Sequence, residues 1–227
     1  MIWGAAILVV LSIAYIYKRS TDPLRARASY DAGERLYRIA RYPQAILSLD
    51  TAIGYQGDFA EAYLLRGQAR VNINEVDNAI QDFTRVIRLR PSDARAYLQR
   101  ASAYISLKNY KAALGDCDQA ILLDPRLSAA QNIKGTVVRG RGNAREALSY
   151  FNRALELEEN LDNYFQRGAT YQALGQHRQA IADLDQAIHF SPYSAHAYFA
   201  RAESKRALGD EAGAKQDHRQ GRILDGR

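Results

Sequence analysis

The chain predicts an all-α solenoid, and three features of its sequence predict it. An alanine returns at Ala45, Ala79, Ala113, Ala147, Ala180 and Ala214, at intervals of 34 residues with a single interval of 33. A fixed period of this size marks a repeat array in which each unit buries its apolar face on its neighbours. Two further columns hold small residues in step with the first: Gly33, Gly67, Ala101, Gly135, Gly168, Ala202, and Ala52, Val86, Ala120, Ala154, Ala187, Gly221. Apolar residues within a unit follow helical spacing, as in Ala79, Ile80, Phe83, Val86 and Ile87, with no period of two for a strand.

The units run 26–59, 60–93, 94–127, 128–160, 161–194 and 195–227. Small residues at positions 8, 20 and 27 of each unit let two helices approach closely, while large residues between them fill the interior. Pro91, Pro125 and Pro192 stand at position 32 and end the second helix, because a proline drives the preceding residue out of the helical region. Gly142, Gly175 and Gly209 share one column, that of the turn between the two helices of a unit. The first unit departs with Ser29 at position 4, where four others carry tyrosine. The sixth places Lys205, His218 and Gly221 opposite Tyr171, Leu184 and Ala187, a polar drift expected of a terminal unit facing water. Arg70 occupies a position that is usually bulky and apolar, its stem expected to snorkel out of the core.

The segments AEAYLLRGQARVNINEVDNAIQDFTRVIRLRPSD and ARAYLQRASAYISLKNYKAALGDCDQAILLDPRL carry the pattern most plainly. It resembles that of the tetratricopeptide repeat, a helix–turn–helix of 34 residues, over the whole of 26–227. The resemblance implies a right-handed superhelix whose first helices line a concave groove at positions 2, 5, 6, 9, 12 and 13. Groove residues are then Tyr30, Leu64, Leu98, Phe165 and Phe199 at position 5, with Gln68 and Ser102 at position 9 and Gln99 at position 6. That is an apolar seam with neutral polar neighbours, although position-5 residues can equally pack on an adjacent helix. Family members that dock Hsp70 or Hsp90 grip a terminal carboxylate with Lys, Asn and basic residues spread over three successive units. No three units here supply that set, so such docking is not expected.

Upstream of the repeats lies one apolar run, residues 2–17, closed by Lys18 and Arg19. It is at the short edge of what spans a bilayer, usually ~17–25 residues. Trp3 at one end and Tyr15 and Tyr17 at the other stand where interfacial aromatics belong. Residues 1–19 are therefore read as a single-pass transmembrane anchor and 20–25 as a short linker, with Thr21 or Asp22 and Pro23 opening the first helix. The alternative is a cleaved export signal, which would leave the repeats outside the cytoplasm; the missing basic residue before the apolar run argues against it. Between residues 18 and 41 seven basic side chains face three acidic ones, most of the chain's net +6. By the positive-inside rule the N-terminus lies outside and the array is cytoplasmic. This basic stretch reads either as a solvated helix face or as one resting on anionic headgroups.

Chemistry is sparse. Cys117 is the only cysteine, which excludes an internal disulfide and a thiolate metal cage; at position 24 it reads as core filler. His189 and His196 flank a turn, too few ligands for a metal site. Carboxylates alternate with Lys and Arg as solvated helix faces do. RGRGNAR at 139–145 fits the turn of unit four better than a nucleic-acid patch. No nucleophile, base and orienting group can be assembled, so no enzymatic activity, cofactor, metal or nucleic acid is expected. The expected function is a membrane-anchored interaction scaffold or assembly factor for another membrane-associated protein. Alternatives are a permanent subunit of a membrane complex or a non-enzymatic regulator of a membrane-associated enzyme.

Overall fold

Residues 22–226 are described by the computed structural model. They divide into two compact units, one ending at Lys108 and one starting at Asn109. The first holds α1 (22–38), α2 (Tyr42–Tyr55), α3 (Ala60–Asn72), α4 (Val76–Leu89) and α5 (Ala94–Ser106). The second holds α6 (Tyr110–Leu123), α7 (Ser128–Gly140), α8 (Ala144–Leu157), α9 (Leu161–Ala173), α10 (His177–Phe190), α11 (Ala195–Ala207) and α12 (Glu211–Leu224). Twelve helices among the described residues give two per repeat, as the period requires. Helix α1 is under way at residue 22, so 22–25 of the expected linker are helical.

No described helix is long and apolar enough to cross a membrane. The proposed anchor, with Trp3, Tyr15, Tyr17, Lys18 and Arg19, lies outside the described residues.

Each repeat turns at the same place for the same reason. Position 15 has positive φ in all six: Ala40 (56°), Asn74 (64°), Lys108 (56°), Gly142 (93°), Gly175 (71°) and Gly209 (84°). The next amide then folds back onto a carbonyl of the first helix, Arg41 to Leu36 at 2.9 Å and Gln176 to Tyr171 at 2.9 Å. This left-handed closure satisfies carbonyls that the helix end would otherwise leave bare. Helix starts are simpler. Asp93, Asn109, Asn160, Ser194 and Asp210 accept from the amides of their own first turns, as side-chain oxygens at N-caps do.

The small columns sit where helices touch. A Cβ on Gly67 would lie 2.6 Å from Phe83 Cε1, and one on Gly135 would lie 2.7 Å from Phe151 Cε1. In the last repeat the pairing is inverted: Phe199 of the first helix fills the space over Gly221 of the second, 2.6 Å from a hypothetical Cβ. Gly221 is thus buried packing, which corrects its reading as part of a polar face toward water. His218 is exposed and meets the edge of Phe199 at a centroid distance of 5.3 Å.

The 33-residue repeat also has a structural cause. Three residues, 158–160, separate α8 from α9, where four separate α10 from α11. The shortened turn leaves carbonyls of Ala154 and Glu158 facing inward. Asn163, 2% exposed, donates to both at 3.3 and 2.8 Å and accepts from Asn132 Nδ2 at 2.8 Å. Alanine holds this position in the other repeats, where the longer turn makes no such demand.

Packing and turn each set an expected outcome. Gly67→Ala forces Phe83 aside and lowers stability by about 1–3 kcal/mol, read from thermal unfolding. Ala40→Gly and Lys108→Gly each relieve a left-handed cost of ~1–2 kcal/mol. Glycine's looser unfolded chain takes back ~0.5–1 kcal/mol, so urea midpoints should rise or at worst hold; a drop would mean these turns are not left-handed.

Candidate partner-binding surface

Four of the carboxylates expected on solvated faces are buried instead. Asp82, Asp116, Asp183 and Asp217, all at position 23, are buried. The cause is a cation at position 7. Arg66 of α3 donates from Nε to Asp82 Oδ2 of α4 at 3.0 Å, donates to the second oxygen as well, and reaches back to Asp50 of α2. Arg167 of α9 grips Asp183 of α10 through two bonds of 2.7 Å and donates to Asn152 of α8 at 2.9 Å. Arg201 of α11 holds Asp217 of α12 at 2.7 and 2.6 Å and Asp185 of α10 at 2.6 Å. Arg100 donates to Thr84 at 3.0 Å, and Lys134 to Asp118 at 2.8 Å. Helices α3, α5, α7, α9 and α11 thus each hold a forked or single cationic rung to the second helix of the repeat before, and α3, α9 and α11 also clasp the second helix of their own.

Tyrosines at position 4 complete the rung. Tyr63, Tyr97, Tyr164 and Tyr198 lie 5.2, 6.0, 5.8 and 5.4 Å from the guanidinium carbons of Arg66, Arg100, Arg167 and Arg201. Three of their hydroxyls donate to the preceding turn, Tyr63 to Gly57 O at 3.4 Å, Tyr97 to Pro91 O at 3.3 Å and Tyr164 to Glu159 Oε1 at 3.1 Å. Arg70 joins the same network: its Nη1 donates to Asp82 Oδ2 at 2.8 Å, so it pairs inward and does not snorkel out. Lys205 occupies the corresponding position in the last repeat and lies 2.9 Å from Asp217. Burial would raise the Asp217 carboxyl, but hydrogen bonds from Arg201 and Lys205 outweigh it and hold the group below its ordinary value. Hydrogen bonding to Asp217, against the opposing effect of burial, pushes the Arg201 guanidinium up.

First helices also join one another. Arg139 donates to the carbonyl of Gln166 at 2.9 Å and to Thr170 Oγ1 at 3.1 Å, and lies 5.6 Å from the ring centre of Phe151. Gln172 donates to the carbonyl of Ala200 at 2.6 Å and to Ser204 Oγ at 2.9 Å. The first arginine of RGRGNAR is therefore consumed inside the array, and Gly142 makes the turn. Cys117 is fully buried, and burial pushes its thiol up to about 12.

Against this frame the position-5 seam is mostly packing. Tyr30 meets Phe59 at a centroid distance of 5.2 Å, Leu64 packs on the cores around Val76 and Val86, and Leu98 is 8% exposed. Phe199 covers Gly221, while Phe165 is half-buried. Among the groups that the first unit leaves open on its first helices are neutral polar ones, Gln68 and Gln99 half-buried and Ser102 exposed, with Asn72 and Ser106 beside them; Val71, 39% exposed, and Arg95 are open on the same helices. The second unit offers small side chains, Ala129, Ala173 and Ala207, all exposed. No group of three or more metal-ligating side chains occurs among the described residues.

The tetratricopeptide-repeat family model matches residues 30–94 and 64–128, and a second model of the same description matches 161–193, together more than half of the chain. No curated protein sequence matches it. Solved structures are similar in fold alone. A thermophilic tetratricopeptide-repeat protein of Thermus thermophilus is 20% identical with TM-score 0.69, over 81% of this chain and 98% of that one. A tetratricopeptide-repeat protein from Parabacteroides merdae is 22% identical with TM-score 0.79, over 93% and 83%. The Cut9–Hcn1 hetero-tetramer of the APC/C gives 18% and TM-score 0.80, over 94% of this chain but 43% of that one.

The rungs can be tested at the last repeat. Asp217 has 4% of its side chain exposed and two cationic partners, so Asp217→Asn should cost about 1–3 kcal/mol. Asp118, 62% exposed and singly paired, should cost less than ~1 kcal/mol as Asp118→Asn. A depressed carboxyl stabilises above its ordinary value near ~3.9 and loses that contribution as pH falls through its folded value. The stability gap between wild type and Asp217→Asn should therefore close on acidification below about pH 4; a gap that widens there would contradict the ion-pair reading.

Proposed function

Because the chain belongs to the tetratricopeptide-repeat family, we propose that it is a membrane-tethered interaction scaffold that holds a segment of another protein against its first helices. One observation carries the choice of surface. The rung arginines and their tyrosines are spent within the repeats, whereas Gln68, Gln99 and Ser102 present neutral hydrogen-bonding side chains on the first helices. Amides and hydroxyls of this kind hold an extended or helical backbone by hydrogen bonds without demanding a charged partner. Leu98, Tyr30 and Leu64 are packed into the repeats under that surface, and in the second unit the half-buried Phe165 offers an apolar contact. The tether is residues 2–17, whose apolar run and basic flank fit a single span with the repeats on the cytoplasmic side. The protein acts by binding, with no catalytic step of its own.

A fixed ratio of chain to membrane partners through mild-detergent purification would point to a permanent subunit, and exchangeable recovery to a scaffold. The surface is tested by Gln68→Glu with Ser102→Glu, which place charge where Leu98→Glu would instead break the core. With the thermal unfolding profile unchanged, partner recovery should fall at least about tenfold, the effect of roughly 1.4 kcal/mol lost from the interface. Full recovery by the folded variant would exclude this face.

A further inference from the structure

Helix α1 has two opposite stripes. Ala26, Tyr30, Gly33 and Tyr37 turn inward, with Ala26 fully buried and Tyr30 and Tyr37 packed on the cluster around Leu49 and Phe59. On the other side, Leu24, Ala28 and Arg35 fall at helical spacing, with Asp31 and Arg38 along the edge toward the groove positions, over about 21 Å at 1.5 Å per residue. Leu24 is 74% exposed at its start, and Ile39, at 62%, stands just past its end. No described helix covers this stripe.

Its charge is lopsided. From residue 22 to 41 five arginines oppose three carboxylates. Arg27 pairs with Asp31 at 3.0 Å and Arg38 with Glu34 at 2.9 Å along the helix. Arg25 lies 5.9 Å from the centre of the Tyr55 ring, which leaves its charge uncompensated. Arg35 and Arg41 are exposed and make no ion pair among the described residues. Elsewhere in the array most arginines at rungs are neutralised by aspartate; here they are not. The chain just upstream is Lys18 and Arg19 and, before them, the apolar run.

We propose that the outward stripe of α1 is a docking surface for anionic lipid headgroups, holding the first repeat flat on the bilayer that residues 2–17 enter. This rests on the reading of that run as a tether. Unpaired arginines supply attraction to a negative surface, each about fivefold in affinity (~1 kcal/mol). Leu24 and Ile39 at the two ends supply apolar contacts at the headgroup boundary. The tether alone needs no particular headgroup. Docking of α1 makes the array's orientation depend on lipid charge.

The test uses the full chain with Cys117→Ala and Ala28→Cys, an environment-sensitive fluorophore on residue 28, reconstituted into vesicles of phosphatidylcholine with or without phosphatidylglycerol. The expected result is a blue-shifted emission with phosphatidylglycerol only, reversed near 1 M salt, where the screening length is about 3 Å. Adding Arg35→Glu and Arg41→Glu should abolish the shift, while resistance to an alkaline wash stays unchanged. Identical emission in both vesicle types, with the chain still wash-resistant, would overturn the docking and leave the tether standing. A charge-dependent shift in a chain that washes off would uphold the docking and overturn the tether. Failure to associate with either vesicle would overturn both. A shift set by protein concentration and indifferent to lipid charge would give the stripe to a second copy, and overturn the proposal.

Discussion

The position-7 cation is the element on which the array depends. A helix pair with small residues at its crossing is stable only if stacked, and what holds one pair to the next here is a guanidinium shared between two second helices. Arg66 and Arg201 each serve three helices, receiving a carboxylate from either side. The geometry suits arginine: a planar fork meets both oxygens of one aspartate while another nitrogen points to the next helix. Stability gained from such a pair is modest, because both partners lose water on burial. Its larger effect is on register, since a slip of the helices would leave position-23 aspartates buried without a counterion, at several kilocalories each.

Rungs and packing reinforce one another. Where the rung is weakest, Lys134 replaces arginine and Tyr150 stands in the position of the aspartate, with its ring 5.4 Å from the ammonium. There the same repeat adds Arg139, tying its first helix to the next through Gln166 and Thr170. The shortened turn that follows is secured by Asn163. At the ends of the array the pattern stops: the first repeat has Ala32 and Ser48 at the rung positions, and the last has Arg219 where earlier repeats carry an acceptor. Neither end presents an unmatched aspartate of the rung.

The period, the small columns and the glycine turns were legible in the sequence because each follows from one residue type at one place. Glycine is the permissive residue for a left-handed turn, so Gly142, Gly175 and Gly209 announced it. Ala40, Asn74 and Lys108 adopt the same backbone unannounced, since tertiary closure overrides their preference. The rungs were missed for another reason. Their partners stand 16 residues apart on different helices, as in Asp50, Arg66, Asp82 and again Asp185, Arg201, Asp217, whereas charge patterns are usually sought three or four residues apart on one helix. That recurring interval was the available signal. It also explains Arg70 and Lys205, which look anomalous in a column of apolar residues until Asp82 and Asp217 are seen beneath them. Position 5 misled in the opposite sense, because an apolar residue at helical spacing cannot by sequence alone be assigned to a groove or to the core under it.

Charge spent inside an array is unavailable outside it, and this bears on what the protein can recognise. Among the described residues, the rung aspartates Asp82, Asp183 and Asp217 neutralise the guanidiniums beside them. The excess positive charge is instead concentrated where the rung is absent, around α1, whose Ala32 needs no counterion and beside which Arg25, Arg35 and Arg41 make no ion pair among the described residues. On the proposed readings, recognition divides between hydrogen bonding along the repeats and charge at their start.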